Sequence, residues 1–407
     1  MKIVHINCLD NIGGAAKAAF RHFEAMRKIG IDATMLVVER NIIDSNIQTI
    51  QPNKYKLFFY SKIYNIIQNL FLKYLKPFAI FSYPIWGFNI HKHKSIKEAD
   101  IIYIHWPGKS MLTIKGIEKI LKLGKPVFWY MHDMNPITGG CHHSLECNKY
   151  QNDCKDCPFV RGKIRKYLVH KQFQKKIKHW YKYPNFNIVT PSVWLGNCAE
   201  RSTLFHNKSI TVCPNVINTD LFKPVDKHIA RNILGISLEK TIILFGADNL
   251  KNPYKGWEYL KDAINELDPN TFECLIFGQS NEYIKDEILI NSHFTGTLHD
   301  EFSLILAYNS ADLFISASIA DNYPNVILES MSCGTPCVGF NVGGIPDLIH
   351  HKQTGYLASY KNTKDLVDGI KWICNNKDIL SDNCRNFVIK NNSYLQIEKV
   401  HKELKNL

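Results

Sequence analysis

The chain has 407 residues, 45% of them hydrophobic and 12% aromatic, a composition that excludes a disordered scaffold. The length fits two domains better than a single core. The formal net charge of +13 is unevenly spread: residues 1–200 carry 30 Lys and Arg against 13 Asp and Glu, a net charge of +17, whereas residues 201–407 carry 20 against 24, a net charge of −4. The basic half predicts an anionic partner, either membrane phosphates or nucleic acid, unless it is simply a solvated lysine-rich face.

The sequence shows no signal peptide, and no stretch reaches the roughly 20 uncharged apolar residues of a spanning helix. We therefore expect a cytoplasmic protein. Residues 54–81 mix lysines with aromatic and aliphatic residues, which predicts a helix lying on anionic headgroups at the inner face of the plasma membrane. A buried helix with solvated lysines is the alternative.

Strand, glycine turn, helix and strand follow one another from residue 2, which predicts a parallel βαβ unit. The pattern recurs in both halves, so we expect an α/β protein of two doubly wound, Rossmann-like domains that face each other across a cleft. We expect the first domain at 1–213, the second at 214–390, and a C-terminal helix at 391–407 that returns to the first. The predicted strands of the later units lie at 99–106, 125–133, 240–248, 272–278, 312–318 and 336–344.

Gly13 and Gly14 lie between the first strand and the first helix, where main-chain amides and the helix dipole suit a phosphate. The pair lacks the G-x-G-x-x-G spacing of dinucleotide sites, so tight packing is the better explanation of the pair by itself.

The stretch "ADNYPNVILESMSCGTPCVGFNVGGIPDLI" at 320–349 is more specific. Asp321 falls in the loop after a strand, and Glu329 lies inside the helix that Pro324 and Asn325 begin. Carboxylates accept hydrogen bonds from sugar and ribose hydroxyls, and amides of a helix N-terminus bind a diphosphate. The stretch predicts a nucleotide-sugar site, with the first turn of the helix as the donor-binding segment: Asn325, Val326, Ile327 and Leu328.

Together with "NIGGAAKAA", the His132–Asp133 pair, "PNVINTDLFKP" and "YKGWEYLKDAI", this stretch resembles family 4 of the retaining glycosyltransferases, which have the GT-B fold. The resemblance extends over nearly the whole chain. It is closest to the subgroup that builds bacterial exopolysaccharide and O-antigen.

The resemblance implies roles for individual residues. Gly14 and Lys255 would contact the donor diphosphate, Glu329 would hold the ribose, and Asp321 would bind hydroxyls of the donor sugar. His132 would lie beside that sugar near the reacting centre, with Asp133 orienting it or contacting the acceptor.

The sequence departs from the family pattern at two places. The family commonly has glutamate where Asp321 stands, and arginine where Ala247 stands. Lys251 is the candidate for the missing positive charge, although an ammonium does not reproduce a bidentate guanidinium.

The implied function is retaining transfer of a sugar from a nucleotide-diphosphate donor to a lipid-linked glycan acceptor, in bacterial surface polysaccharide (O-antigen and lipopolysaccharide) synthesis, with no metal required for catalysis. Alternatives are a GT-B sugar-nucleotide epimerase or phosphorylase and, in another class, a zinc-containing nucleic-acid-binding protein. The transferase motifs disfavour a nucleic-acid partner.

Cys141, Cys147, Cys154 and Cys157 form a C-x5-C-x6-C-x2-C pattern within a loop expected at 138–158, after His132 and Asp133. Four thiolates suffice for a tetrahedral structural zinc, but the spacing is not that of a standard zinc ribbon. Reduced thiols and disulfides stay open as alternatives. We expect this loop to wall the acceptor pocket.

Overall fold

The computed structural model describes residues 1–50, 80–109, 111–250, 252–279 and 282–398, with 55, 58 and 62–66. It divides into two compact units, the first ending at Pro214 and the second beginning at Asn215. Most of the predicted interfacial helix at 54–81 lies outside the described residues, as do 399–407 of the predicted C-terminal helix. Within the described part of the chain, every helix is too short or too polar to cross a bilayer.

The first unit is a seven-stranded sheet in the order β3-β2-β1-β4-β5-β6-β7, with every strand pair parallel. The sequence of β5, VFWY, is apolar throughout and entirely buried, as expected of a parallel strand covered on both faces. The strands are β1 (Lys2–Ile6), β2 (Asp32–Val37), β3 (Ile47–Thr49), β4 (Ile101–Ile104), β5 (Val127–Tyr130), β6 (Phe186–Thr190) and β7 (Ile210–Val212).

Helices in the described part of the first unit connect these strands. The first begins at Gly14 directly after Gly13, whose positive φ of 90° favours glycine. Apolar and aromatic residues fill one face of the sheet, whereas histidine and tyrosine side chains share the other. The helices are α1 (Gly14–Lys28), α2 (Lys94–Glu98), α3 (Ile114–Leu121), α4 (Lys163–Trp180) and α5 (Val193–Arg201).

The second unit is a six-stranded parallel sheet in the order β10-β9-β8-β11-β12-β13. Alternate residues of β8 enter two separate hydrophobic clusters, Ile243 and Phe245 on one face and Ile242 and Leu244 on the other. The strands are β8 (Thr241–Asn249), β9 (Phe272–Gln279), β10 (Ser292–Gly296), β11 (Leu313–Ser316), β12 (Cys337–Phe340) and β13 (Gly355–Ala358).

Helices cover both faces of this sheet too, so each unit has the doubly wound α/β topology that the sequence predicts. In both sheets the strand order reverses beside the first strand, between β1 and β4 and between β8 and β11, and ligands of such folds bind beyond the carboxyl ends of strands at that point. The helices of the second unit are α6 (Lys227–Leu234), α7 (Trp257–Asn265), α8 (Glu282–Asp286), α9 (Glu301–Ser310), α10 (Asn325–Ser332), α11 (Thr363–Cys374) and α12 (Lys377–Asn392).

Candidate functional site

The loops after β8 and β11 bring two predicted site residues together. Lys255 Nζ donates a hydrogen bond to Asp321 Oδ2 at 2.9 Å, and the two side chains are 32% and 17% exposed. A pair this open to solvent stabilises the fold by only about 0–1 kcal/mol. Its position at the strand-order reversal, where ligands bind, is therefore better explained by recognition than by stability.

Two glycines hold these loops in place. Gly256 follows Lys255 with a φ of +66°, and a Cβ there would lie 1.9 Å from the Ala317 carbonyl oxygen. Gly343 has a φ of +60°, and a Cβ there would lie 2.1 Å from the carbonyl oxygen of Asp321. No other residue fits at either position without moving the main chain, because the obstructing atoms are backbone atoms.

The helix α10 begins immediately after the Asp321 loop, as the sequence predicts. Its N-cap is Pro324, which supplies no side-chain cap for the first-turn amides. The Asn215 side chain fixes the entry to the helix by donating to Asn325 Oδ1 at 3.1 Å and to the Tyr323 carbonyl at 3.3 Å. The positive end of the helix dipole therefore lies a few residues after Asp321 in the chain.

The donor-binding residues predicted on α10 differ in what their amides do. The amides of Ile327 and Leu328 both bond the Pro324 carbonyl at 3.2 Å, and both side chains are fully buried. Asn325 and Val326 occupy the first turn, where helix geometry leaves amides without an intrahelical acceptor. The amides of Ile327 and Leu328 thus belong to the hydrogen bonding of the helix itself.

The structure separates the two predicted carboxylates of this region. Glu329 is 2% exposed, and its Oε2 accepts a hydrogen bond of 2.8 Å from the Tyr308 hydroxyl on α9. Asp321 instead contacts Lys255 in the loop. Ala247 lies within β8 and is buried, and Lys251 lies outside the described residues.

In the first unit, His132 lies just beyond β5 at the end of a chain of imidazoles. His132 Nε2 is 3.1 Å from Nδ1 of His105, whose Nε2 is 3.0 Å from Nδ1 of His5. The three residues lie on or directly after β5, β4 and β1, which are neighbours in the sheet. Burial lowers the pKa of His132 to about 4 and that of His5 to about 3, so both rings are neutral near pH 7.

Asp133 organises the loop that follows. Its Oδ2 lies 2.6 Å from His142 Nδ1 and accepts from Trp106 Nε1 at 3.2 Å, while its Oδ1 accepts from the Asn135 amide at 2.7 Å. Burial would raise the pKa of Asp133, but His142 and the Asn135 amide outweigh burial and hold the pKa below its usual value. Asp133 is thus an ionised anchor for His142.

His132 and Asp133 line an open cavity whose lining lies wholly within the first unit; its volume of about 620 Å³ includes space open to solvent. Lys176 also lines it and is buried, donating to the Thr138 carbonyl at 2.9 Å; burial lowers the pKa of Lys176 to about 8. Apolar walls with a few fixed polar groups are typical of a small-molecule site. The apolar part of the lining includes Trp106, Leu112, Ile114, Ile117, Trp129 and Trp180.

The four predicted metal ligands line a second, smaller pocket, whose volume of about 280 Å³ also includes space open to solvent. The Gly139 amide donates to Cys154 Sγ at 3.2 Å, and the amides of Phe159 and Val160 bond the Cys157 sulfur. All four cysteines are free thiols, and among the described residues no three of these sulfurs lie within 4.8 Å of one another. A zinc ion would have to draw them closer, because Zn–S bonds are about 2.3 Å long.

His5, His105 and His142 were not singled out as site residues from the sequence. A usable signal exists for two of them: His5 is in β1, and His105 directly follows β4 just as His132 closely follows β5. Neighbouring parallel strands present such residues at one edge of a sheet. The bond between His142 and Asp133 depends on the path of the loop, which no spacing rule predicts.

Comparison with known proteins agrees with this architecture. HepE of Anabaena, solved in complex with UDP and glucose, superposes with a TM-score of 0.67 over 100% of both chains, although only 15% of residues are identical. At that identity the likeness shows the fold alone, and it is the GT-B fold of two Rossmann-like domains.

The sequence comparisons add a family model that lies within the second unit and several curated relatives. Residues 239–376 match the family model described as glycosyl transferases group 1. N-acetyl-alpha-D-glucosaminyl L-malate synthase of Bacillus anthracis is 39% identical over 173 residues, which are 40% of this chain and 43% of that protein. UDP-Gal:alpha-D-GlcNAc-diphosphoundecaprenol alpha-1,3-galactosyltransferase of Escherichia coli is 22% identical over 276 residues, 60% of this chain and 67% of that protein. Residues 239–376 therefore match the group 1 glycosyltransferases, and the chain has the GT-B fold.

Proposed function

We propose that the protein transfers a hexose, with retention of anomeric configuration, from a nucleotide-diphosphate sugar to a lipid-linked glycan in the synthesis of bacterial surface polysaccharide. The Lys255–Asp321 pair, fixed at the strand-order reversal beside the first turn of α10, carries this proposal. Lys255 can neutralise phosphate charge, and Asp321 can accept hydrogen bonds from hydroxyl groups. A nucleotide sugar carries both phosphates and hydroxyls.

The donor is assigned to the second unit. Lys255 and the first-turn amides of α10 receive the diphosphate, Asp321 accepts hydrogen bonds from the sugar, and Glu329 accepts them from the ribose once its bond with Tyr308 is shared or released. UDP-sugars are the first donors to test, because HepE binds UDP and the Escherichia coli relative is named for UDP-Gal.

The acceptor is assigned to the 620 Å³ cavity of the first unit, where His132 and Asp133 lie among tryptophans. Gly13 and Gly14 flank the start of α1 and are proposed to meet the departing diphosphate.

In the reaction the bond from the anomeric carbon to the diphosphate oxygen breaks and a bond to an acceptor hydroxyl oxygen forms. The hydroxyl proton passes to the departing phosphate, whose negative charge Lys255 stabilises. No step of this scheme calls for a metal ion.

A transfer assay tests the proposal. Purified protein is incubated with UDP-glucose, UDP-galactose or UDP-N-acetylglucosamine and a diphosphoundecaprenol-linked sugar, and the products are analysed by mass spectrometry and NMR. We expect a lipid product one hexose larger, with an α linkage from an α-linked donor. A new nucleotide sugar without transfer would instead indicate an epimerase, and a sugar phosphate would indicate a phosphorylase.

We propose further that the protein contacts an anionic membrane through α4. This helix exposes Lys163, Lys171, Lys175 and Lys178, and its Ile164 and Tyr167 are 76% and 59% exposed. Lysines with exposed apolar side chains are typical of interfacial helices. We expect co-sedimentation with phosphatidylglycerol vesicles, absence from phosphatidylcholine vesicles, and weakening by salt. Equal binding to both vesicle types would contradict the electrostatic contact.

A further inference from the structure

The imidazole chain of the first unit is longer than a sugar-binding site requires. His5 is fully buried in β1. His105, after β4, and His132 both line the 620 Å³ cavity, but His105 is only 1% exposed whereas His132 is partly exposed. His5 also stacks on Tyr103, with ring centroids 5.2 Å apart, and His22 on α1 packs edge-on against His5 and His105. His5 therefore cannot contact a substrate, and both ring nitrogens of His105 are already engaged by the neighbouring imidazoles.

Neutral imidazoles can form such a chain in only two ways. Each ring has one donor and one acceptor nitrogen, so the hydrogen bonds of the chain must all run in one direction. If they run from His132 to His5, His5 Nε2 carries a hydrogen; that atom is buried with no hydrogen-bond partner among the described residues. If they run from His5 to His132, the same atom carries a lone pair, and a buried unpartnered N–H is avoided.

We propose that His5 and His105 are positioning residues that fix the proton of His132 on Nδ1: His5 Nδ1–H donates to His105 Nε2, and His105 Nδ1–H donates to His132 Nε2. With Nε2 occupied as an acceptor, His132 meets its substrate as a neutral hydrogen-bond donor and not as a base or a cation. This inference rests on the proposed function for the role of His132, but the position of the proton does not depend on that function.

A metal site is the competing explanation for these histidines. One nitrogen from each of His5, His22 and His105 lies within 4.8 Å of the others. Both nitrogens of His105 are already engaged by imidazoles at 3.0 and 3.1 Å, so a metal would have to break the chain. The surroundings named above are aromatic rings, with no carboxylate to balance a divalent charge.

Paired substitutions distinguish positioning from packing. Asparagine places an amide N–H near the position of imidazole Nδ1, whereas leucine fills similar space without a donor. We expect H105L and H5L to lower kcat about tenfold with the donor KM unchanged, as loss of one hydrogen bond predicts. We expect H105N and H5N to stay within about threefold of the wild type. A packing role predicts the reverse order, because a buried amide is less favourable than leucine among aromatic rings.

Nitrogen NMR of the full-length protein labelled with ¹⁵N-histidine gives a readout that needs no turnover, with the His132 signals assigned by their loss in H132A. We expect a neutral His132 with the proton on Nδ1 in the wild type, and a mixture of tautomers in H105L. Y103F, which keeps the ring stacked on His5, should match the wild type in kcat and in tautomer.

Three results would overturn the proposal: a proton on Nε2 of His132, a charged His132 at neutral pH, or stoichiometric metal that H5N removes. Thermal unfolding of each variant separates misfolding from an effect on His132. If the wild type transfers no sugar, the proposed function fails, while the tautomer measurement still decides whether the chain fixes the proton.

Discussion

The two sheets have the same kind of strand-order reversal but place opposite chemistry there. Between β8 and β11 lies a solvent-accessible ion pair, Lys255 with Asp321, whereas beyond β1, β4 and β5 lies a buried row of uncharged imidazoles. A charged, open site suits a diphosphate and a polyhydroxylated sugar. Neutral imidazoles at a largely apolar cavity, which the ionised Asp133 also lines, suit hydroxyl groups carried on a lipid-bearing molecule. One topology thus supports two kinds of recognition, since the side chains at the strand ends differ.

The largest effect should come from removing the cation of the charged site. K255A is expected to lower kcat/KM about 10²–10³-fold, the range seen when a group that stabilises developing charge is lost. Its melting temperature should hardly change, because the pair is exposed. K227A is the matched control: Lys227 bonds Asp312 at 2.8 Å, near the opposite end of β11, and its side chain is 39% exposed. Equal losses of turnover in K255A and K227A would contradict a specific role of Lys255 in catalysis.

Asp312 should matter for stability instead of catalysis. It is buried with Arg231 at 2.6 Å, and D312N should cost about 1.5–3 kcal/mol of unfolding free energy at pH 7. Burial would raise the pKa of Asp312, but Lys227, the Ile242 amide and Arg231 outweigh burial and lower it. The carboxylate thus stabilises the fold above about pH 4, and this contribution is lost as pH falls further. Urea unfolding at pH 7 and pH 3 should show a larger fall for the wild type than for D312N.

Substitutions at Glu329 should have a smaller effect on turnover and should change mainly the KM for the donor. E329Q keeps an acceptor for the Tyr308 hydroxyl but loses the charge, and we expect the donor KM to rise about tenfold with kcat nearly unchanged. Y308F, which removes only the hydroxyl, should leave the donor KM within about twofold. If Y308F instead reproduces the E329Q effect, Glu329 acts through packing of α9 against α10 and not through the ribose.

The cysteine loop should give the smallest effect on chemistry. We expect elemental analysis to find about one zinc per chain. C157S should lose this zinc, and each kcal/mol of lost stability should lower its melting temperature by about 2–4 °C. C374S, which changes a cysteine of the second unit, is the control, and its zinc content should equal that of the wild type. A metal-free preparation with full activity and unchanged melting would show that the four thiols pack without an ion.

The sequence indicates the elements that carry the Lys255–Asp321 pair more fully than it indicates the row of imidazoles. Asp321, Lys255 and the start of α10 are local features, since loops after strands and a proline before a helix are visible within a few residues. The bond between His5 and His105 joins residues 100 positions apart and depends on which strands become neighbours. The burial of Glu329 under Tyr308 depends in the same way on the packing of two helices, which a motif does not specify.

The glycines at 256 and 343 bear on how donor preference can change during evolution or in the laboratory. At each position the obstacle to a larger residue is a carbonyl oxygen, which cannot rotate out of the way as a side chain can. Under the proposed function, new sugar preferences must therefore arise from exchanged side chains on a main-chain path that stays constant. A mutant library aimed at another donor should keep both glycines and vary position 321 and its sequence neighbours, where the shape of the pocket can change without loss of the scaffold.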